Sequence, residues 1–156
     1  MPVRPRPDRP ARRLRRPTAA AAFAIAAALV LSSCWSAQQS SAMDAANGSR
    51  TQNGLAALSG DLAAMQKAQA WSDHMAATGV LEHTGGGSSV DPSGVSNWCT
   101  YGENVGYGAS IASVEAAFMN SAVHRANLLG RWDRIGVGVT TKGSVVWVTQ
   151  IFLRSC

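Results

Sequence analysis

The chain has 156 residues, with 14 Lys and Arg against 9 Asp and Glu, a net charge of +5 that at first sight suits a nucleic-acid partner. Seven of the basic residues, Arg4, Arg6, Arg9, Arg12, Arg13, Arg15 and Arg16, fall in residues 1–33 with only Asp8 opposing them. Residues 34–156 keep seven basic and eight acidic side chains, a net of −1, and offer no basic stripe to follow a phosphate backbone, so no nucleic-acid partner is expected.

In chain order, the Pro- and Arg-rich start cannot bury apolar surface and leads into Ala19–Leu31, a run of 13 apolar residues. That is short of the ~20 needed to span a bilayer. It fits the hydrophobic region of an export signal behind a positive leader. The run closes on Leu31-Ser32-Ser33-Cys34, which resembles a lipobox, the site where bacterial lipoproteins are cut before a cysteine that is then acylated. The expectation is a signal peptide over residues 1–33 and a membrane anchor through lipidated Cys34, on the outer side of the cytoplasmic membrane or the cell surface. An ordinary cleavage site with a chance cysteine is the alternative, and the export route, general or twin-arginine, stays open.

Residues 34–42 are short and polar and read as a flexible tether, with one domain over residues 43–156. With Cys34 acylated, Cys99 and Cys156 remain, and an even pair in an exported domain reads as a disulfide rather than two free thiols. Ala45–Gln52 reads as a short helix before the Asn53-Gly54 turn. Ser59, Gly60 and Asp61 start a second helix on which Leu62, Met65, Ala68, Ser72 and Met75 recur at helical spacing until Gly79. Residues 81–102, rich in Gly, Ser, Asn and Pro, read as loop, and Ser113 as the cap of a third helix with Ile111, Val114 and Phe118 inward. Ile135–Thr141 and Ser144–Leu153 are β-branched and aromatic, with Lys142-Gly143 as a hairpin turn between them. Helices first and strands after give an α+β fold with an antiparallel sheet.

Three histidines and a few acids are the candidates for chemistry. His74, on the second helix, reads as a boundary residue. His83 opens the Gly-rich loop, Glu103 lies between glycines in Gly102-Glu103-Asn104-Val105-Gly106, and His124 follows the third helix. These segments together resemble the CAP superfamily of cysteine-rich secretory proteins, venom antigens and plant pathogenesis-related proteins, in its compact bacterial form with an SCP domain. The matching stretches are Asn47–Arg50, Ala68–Ala76 running to His83, Gly102–Gly108, Phe118–Leu129, Arg134–Val139 and Val146–Phe152, in order over roughly residues 43–153.

The resemblance implies an α-β-α sandwich with a central antiparallel sheet covered by helices on both faces. It also implies a cleft lined by His83, Glu103 and His124, with Ser121, or as the lesser alternative Asn120, where fuller members carry a second acid. Glu115, six positions before Ser121, should point elsewhere. His83, Glu103 and His124 form a candidate set for zinc or another divalent metal. Without a second matched carboxylate as general base, binding is favoured over turnover. No Gly-x-Ser-x-Gly elbow occurs to support a nucleophile. The expected function is a cleft that holds a small apolar or amphipathic molecule such as a lipid, in a monomer. The alternative is a metal-dependent hydrolase acting on peptide or cell-wall substrate outside the membrane.

Overall fold

The computed structural model describes residue 1 and residues 35–156. The apolar run, the lipobox and Cys34 lie outside the described residues. Among the described residues, no helix is long and apolar enough to cross a membrane.

Helix α1 spans Ala37–Gln52, eight residues longer at its start than the sequence reading, so residues 37–42 of the expected tether are helical. The cause is local. Ser36 accepts from the Gln39 amide at 3.1 Å while the Gln39 side chain accepts from the Ser36 amide at 2.9 Å, a capping box written in polar residues that otherwise suit a linker. Strand β1, Ser59–Gly60, precedes helix α2, Leu62–Thr78. Asp61 caps α2 by accepting from the Ala64 amide at 2.9 Å, and Gly79 ends it at φ 74°, the left-handed conformation that glycine adopts without strain. Met65, Ala68, Ser72 and Met75 face inward as the spacing predicts, whereas Leu62 is exposed.

Strand β2, Thr100–Gly108, begins inside the expected loop, taking its last three residues, and carries Glu103. Helix α3, Ile111–Asn120, is capped by Ser110, with the expected cap Ser113 serving as its capping-box partner. His124 lies on a further short helix, α4, Ala122–Leu128. Strands β3, Arg134–Lys142, and β4, Val145–Arg154, turn back on each other through Gly143 at φ 60°.

The sheet has strand order β1-β3-β4-β2. Its three long strands are antiparallel, as expected, while the two-residue β1 joins β3 in parallel, through Ser59 N–H to Asp133 C=O and Asp61 N–H to Ile135 C=O. The sheet is therefore mixed. Helix α2 covers one face, and α1, α3 and α4 cover the other, giving the α-β-α sandwich.

Glycines set the layer spacing. A Cβ on Gly136 or Gly138 would come within 2.2 Å and 2.0 Å of the backbone at Ala64 and Ala68, so α2 can cross β3 only where side chains are missing. On the opposite face Ile135, Val137, Val148 and Phe152 pack on Ala42, Ala46, Val114, Phe118 and Leu128, each fully buried large side chain contributing roughly 1.5–3 kcal/mol. Buried Arg50 joins the ends of α1 and α4, donating to the carbonyls of Ala56 at 3.0 Å, Leu128 at 2.8 Å and Gly130 at 2.9 Å. Cys99 and Cys156 form the disulfide, with Cα atoms 5.0 Å apart, and so hold the end of β4 to the start of β2.

Candidate functional site

β2 is an edge strand, and its side chains alternate between the two faces. Gly102, Asn104, Gly106 and Gly108 face the α3–α4 side. A Cβ on Gly106 would sit 2.7 Å from the Phe118 ring, and one on Gly102 2.9 Å from Trp132, so α3 and the segment after α4 press directly on the strand. Tyr101, Glu103, Val105 and Tyr107 face the other way, toward the segment leaving α2. The period of two, with every second position small or polar, was the signal for a strand.

Glu103 is buried, with its side chain fully covered. Its Oε1 accepts from His83 Nδ1 at 2.8 Å and from the Thr84 amide at 3.0 Å, while Oε2 accepts from Thr84 Oγ1 at 2.7 Å and Tyr101 OH at 3.3 Å. A carboxylate has no proton to give, so His83 carries its proton on Nδ1 and, when neutral, presents a lone pair on Nε2. Burial, and secondarily the Glu103 charge, push the Tyr101 hydroxyl well above the usual range, so it stays a donor. Thr84 and Tyr101 were not singled out by the sequence reading. Thr84 directly follows His83, and Tyr101 shares the Glu103 face two positions away.

On the other side of the β2 edge, Ser121 and His124 line a cavity of about 280 Å³ whose remaining wall is mainly apolar: Leu81, Val105, Val114, Ala117 and Phe118, with Tyr107 at the rim. Ser121, the N-terminal boundary of α4, makes no cap bond with its side chain. The His124 ring tilts against Phe118 at 5.1 Å between centroids. Burial lowers the His124 pKa, and the charge of nearby His83 lowers it further, both favouring the neutral ring. α4 is tied to β2 by Asn104 Nδ2 to His124 C=O at 3.1 Å and by Asn127 Nδ2 to Glu103 C=O at 3.0 Å and Asn104 Oδ1 at 2.9 Å. The structure thus bonds His83 to Glu103 directly, brings His124 within the influence of His83, and sets Ser121 and His124 on one cavity wall.

Glu115 points elsewhere, as its position predicts. It accepts from Ser49 Oγ at 2.6 Å and Gln150 Nε2 at 2.8 Å, and burial outweighs both bonds in raising its pKa. Gln150 in turn accepts from Asn104 at 3.1 Å, so a buried polar chain links Glu115 to the strand beneath the cleft.

His83, Glu103 and His124 do not fit a three-ligand metal centre. Both Glu103 oxygens are already taken by protein donors, and among the described residues no group of three or more His, Cys, Asp or Glu side chains is placed to hold an ion. Glu103 instead orients His83, the part a carboxylate plays behind a histidine.

The order of these segments, with α2 leading to His83, Glu103 on an edge strand, and Ser121 and His124 across the cleft, is matched by the CAP family described as the Cysteine-rich secretory protein family, over residues 43–152. The chain belongs to this family. Its fold is similar to an outer surface protein from Borrelia burgdorferi, at 18% identity and TM-score 0.63, covering 73% of this chain and 90% of that one. It is also similar to an SCP-domain extracellular protein from Bacillus anthracis, at 26% identity and TM-score 0.60, covering 76% of this chain. A cysteine-rich secretory protein from Staphylococcus aureus matches at 23% identity and TM-score 0.56, again over 76% of this chain. The CAP domain spans 40% and 39% of the Bacillus and Staphylococcus chains, which are therefore much longer than the part they share with it. No curated protein matches the chain.

Proposed function

We propose that this CAP-domain protein is an exported, lipid-anchored binding module whose cleft holds a small apolar or amphipathic ligand. The observation that carries the reading is the cavity beside β2, whose wall is apolar apart from Ser121 and His124. Leu81 and Tyr107 at its mouth are 45% and 56% exposed, and clustered exposed apolar side chains around a concavity mark binding sites more often than chance surface.

Export draws support from the leader, the short apolar run and the similarity to extracellular and outer surface proteins. Anchoring rests on Cys34. Trp35, the next residue, packs on Gly60 of β1, and Ser36 already caps α1, so a lipid on Cys34 would hold the domain with almost no slack. β1, against which Trp35 packs, and β2 are opposite edges of the sheet, so an anchor next to Trp35 would lie across the sheet from the cleft. Metal-dependent hydrolysis gains nothing from the site, because His83, Glu103 and His124 supply no three-ligand centre.

Native mass spectrometry of protein purified without detergent tests the ligand reading, and a co-purifying mass of a few hundred daltons lost in Ser121→Trp is expected. Fractionating cells that make the full chain or its Cys34→Ser form tests the anchor. Equal membrane and soluble shares for both would overturn it.

A further inference from the structure

Resting on the cleft reading above, we infer that the outer edge of β2 recognises the backbone of a single extended, uncharged peptide segment, one apolar side chain of which enters the cavity. The direction in which each backbone group points follows from bonds made elsewhere in the sheet. On β3, Val137 C=O accepts from Gln39 Nε2 at 3.0 Å and Val137 N–H donates to Met65 Sδ at 3.1 Å. Val139 N–H and C=O both bond the Gln69 side chain, at 3.1 Å and 3.0 Å. These two residues therefore point away from β4.

In an antiparallel ladder a residue's N–H and C=O point the same way, and the direction alternates along the strand. Gly136, Gly138 and Thr140 thus face β4, opposite Ile151, Thr149 and Trp147, and the alternate residues Val148, Gln150 and Phe152 face β2. Their partners there are Gly106, Asn104 and Gly102. Glu103, Val105 and Tyr107 consequently turn their backbone groups outward. The bond from Asn127 Nδ2 to Glu103 C=O, made from outside the sheet, agrees independently.

Asn127 takes the Glu103 carbonyl, but no described residue bonds the N–H or C=O of Val105 or Tyr107. Val105 is only 5% exposed and Tyr107 56%, and both line the cavity, so a donor–acceptor ladder two residues long runs from the covered floor of the cleft at Val105 to its rim at Tyr107. Buried backbone groups are almost always paired. A hydrocarbon chain lying there would leave the Val105 groups unpaired, whereas an added strand satisfies them and those of Tyr107 together, the β-augmentation mode of peptide recognition.

Three further features select the occupant. At about 280 Å³, with Leu81 and Tyr107 exposed at its mouth, the cavity has room for an apolar side chain while the backbone that carries it lies along the β2 edge. No Lys, Arg, Asp or Glu side chain lines it, which disfavours a charged residue. Leu81, from the segment after α2, and Phe118 and Ser121, from α3 and its end, line the cavity together with Val105, so the edge is bordered by other elements rather than bare, which favours a lone strand over the edge of a second sheet.

Calorimetric titration of the full chain decides the matter with three probes: the blocked peptide acetyl-Ser-Val-Leu-Val-Ser-amide, the same peptide N-methylated on alternate amides in each of the two registers, and dodecanoate. The inference expects the plain peptide to bind, one methylated register to weaken it at least tenfold, and Ser121→Trp to weaken it similarly. Equal binding of the plain and both methylated peptides would overturn backbone recognition. Binding of dodecanoate without the peptide would overturn the peptide while leaving the cleft reading standing, and binding of none of the probes would remove both.

Discussion

His83 Nδ1 lies 2.8 Å from Glu103 Oε1, and the same carboxylate accepts the amide of Thr84, the residue after His83. A single buried acid on β2 therefore fixes both the ring and the backbone of the segment that forms one side of the cleft. Replacing it by Gln leaves one oxygen to serve donors that now use two, and places an amide N–H₂ against another donor. Glu103→Gln is expected to cost roughly 1–3 kcal/mol in chemical denaturation. Hydrogen exchange at the Thr84 amide should speed up with it, and unchanged protection there would show that Glu103 does not hold the segment.

The His124 pKa is lowered, so just below the ordinary imidazole value of about 6.5 the unfolded chain binds more protons than the folded one. Stability then rises with pH in this window and falls as the solution is acidified through it. His124→Gln should flatten that part of the curve. Parallel melting curves for the two proteins between pH 7 and pH 5 would contradict the assignment.

Gly106 faces α3 so closely that a Cβ would lie 2.7 Å from the Phe118 ring and 3.3 Å from Val114. Gly106→Ala is expected to destabilise by about 1–3 kcal/mol through overpacking. A Phe118→Leu change in the same chain should recover part of the loss, and simple additivity of the two changes would speak against a steric cause.

How much of this was legible in the sequence differs from element to element. The hairpin and the inner face of α2 carry their patterns in their own residues, so Ile135–Thr141 and Met65, Ala68, Ser72 and Met75 could be read directly. β2 also carries a period of two, but its small positions are glycines, whose need answers to Phe118, Trp132 and Val114, side chains far along the chain. The start of α1 depends on Ser36 and Gln39, polar residues whose capping role is indistinguishable by composition from a linker. Of the site, His83, Glu103, Ser121 and His124 were marked by family resemblance, whereas the bonds from Thr84 and Tyr101 that fill Glu103 depend on a fold that brings residue 84 against residue 103. Those bonds are why a set that reads as a metal centre becomes an oriented histidine.

The disulfide closes 57 residues of separation between Cys99 and Cys156. On the chain-entropy account a loop of that size is worth about 4 kcal/mol. Cys99→Ser/Cys156→Ser should lose a substantial part of that in urea denaturation, with fraying first at Arg154, which accepts the Cys99 amide at 2.8 Å. Stability equal to the parent would mean the bridge contributes nothing.

The cleft beside β2 is the centre of the functional account, and mapping a ligand onto it by NMR is the most direct test. With ¹⁵N-labelled protein and the blocked peptide or dodecanoate as titrant, the account predicts shift changes concentrated at Leu81, Val105, Gly106, Tyr107, Ser121 and His124. Saturating titrant that moves none of these amides, or moves instead those of Gly48, Ser49 and Ala116 in the groove between α1 and α3, would contradict it.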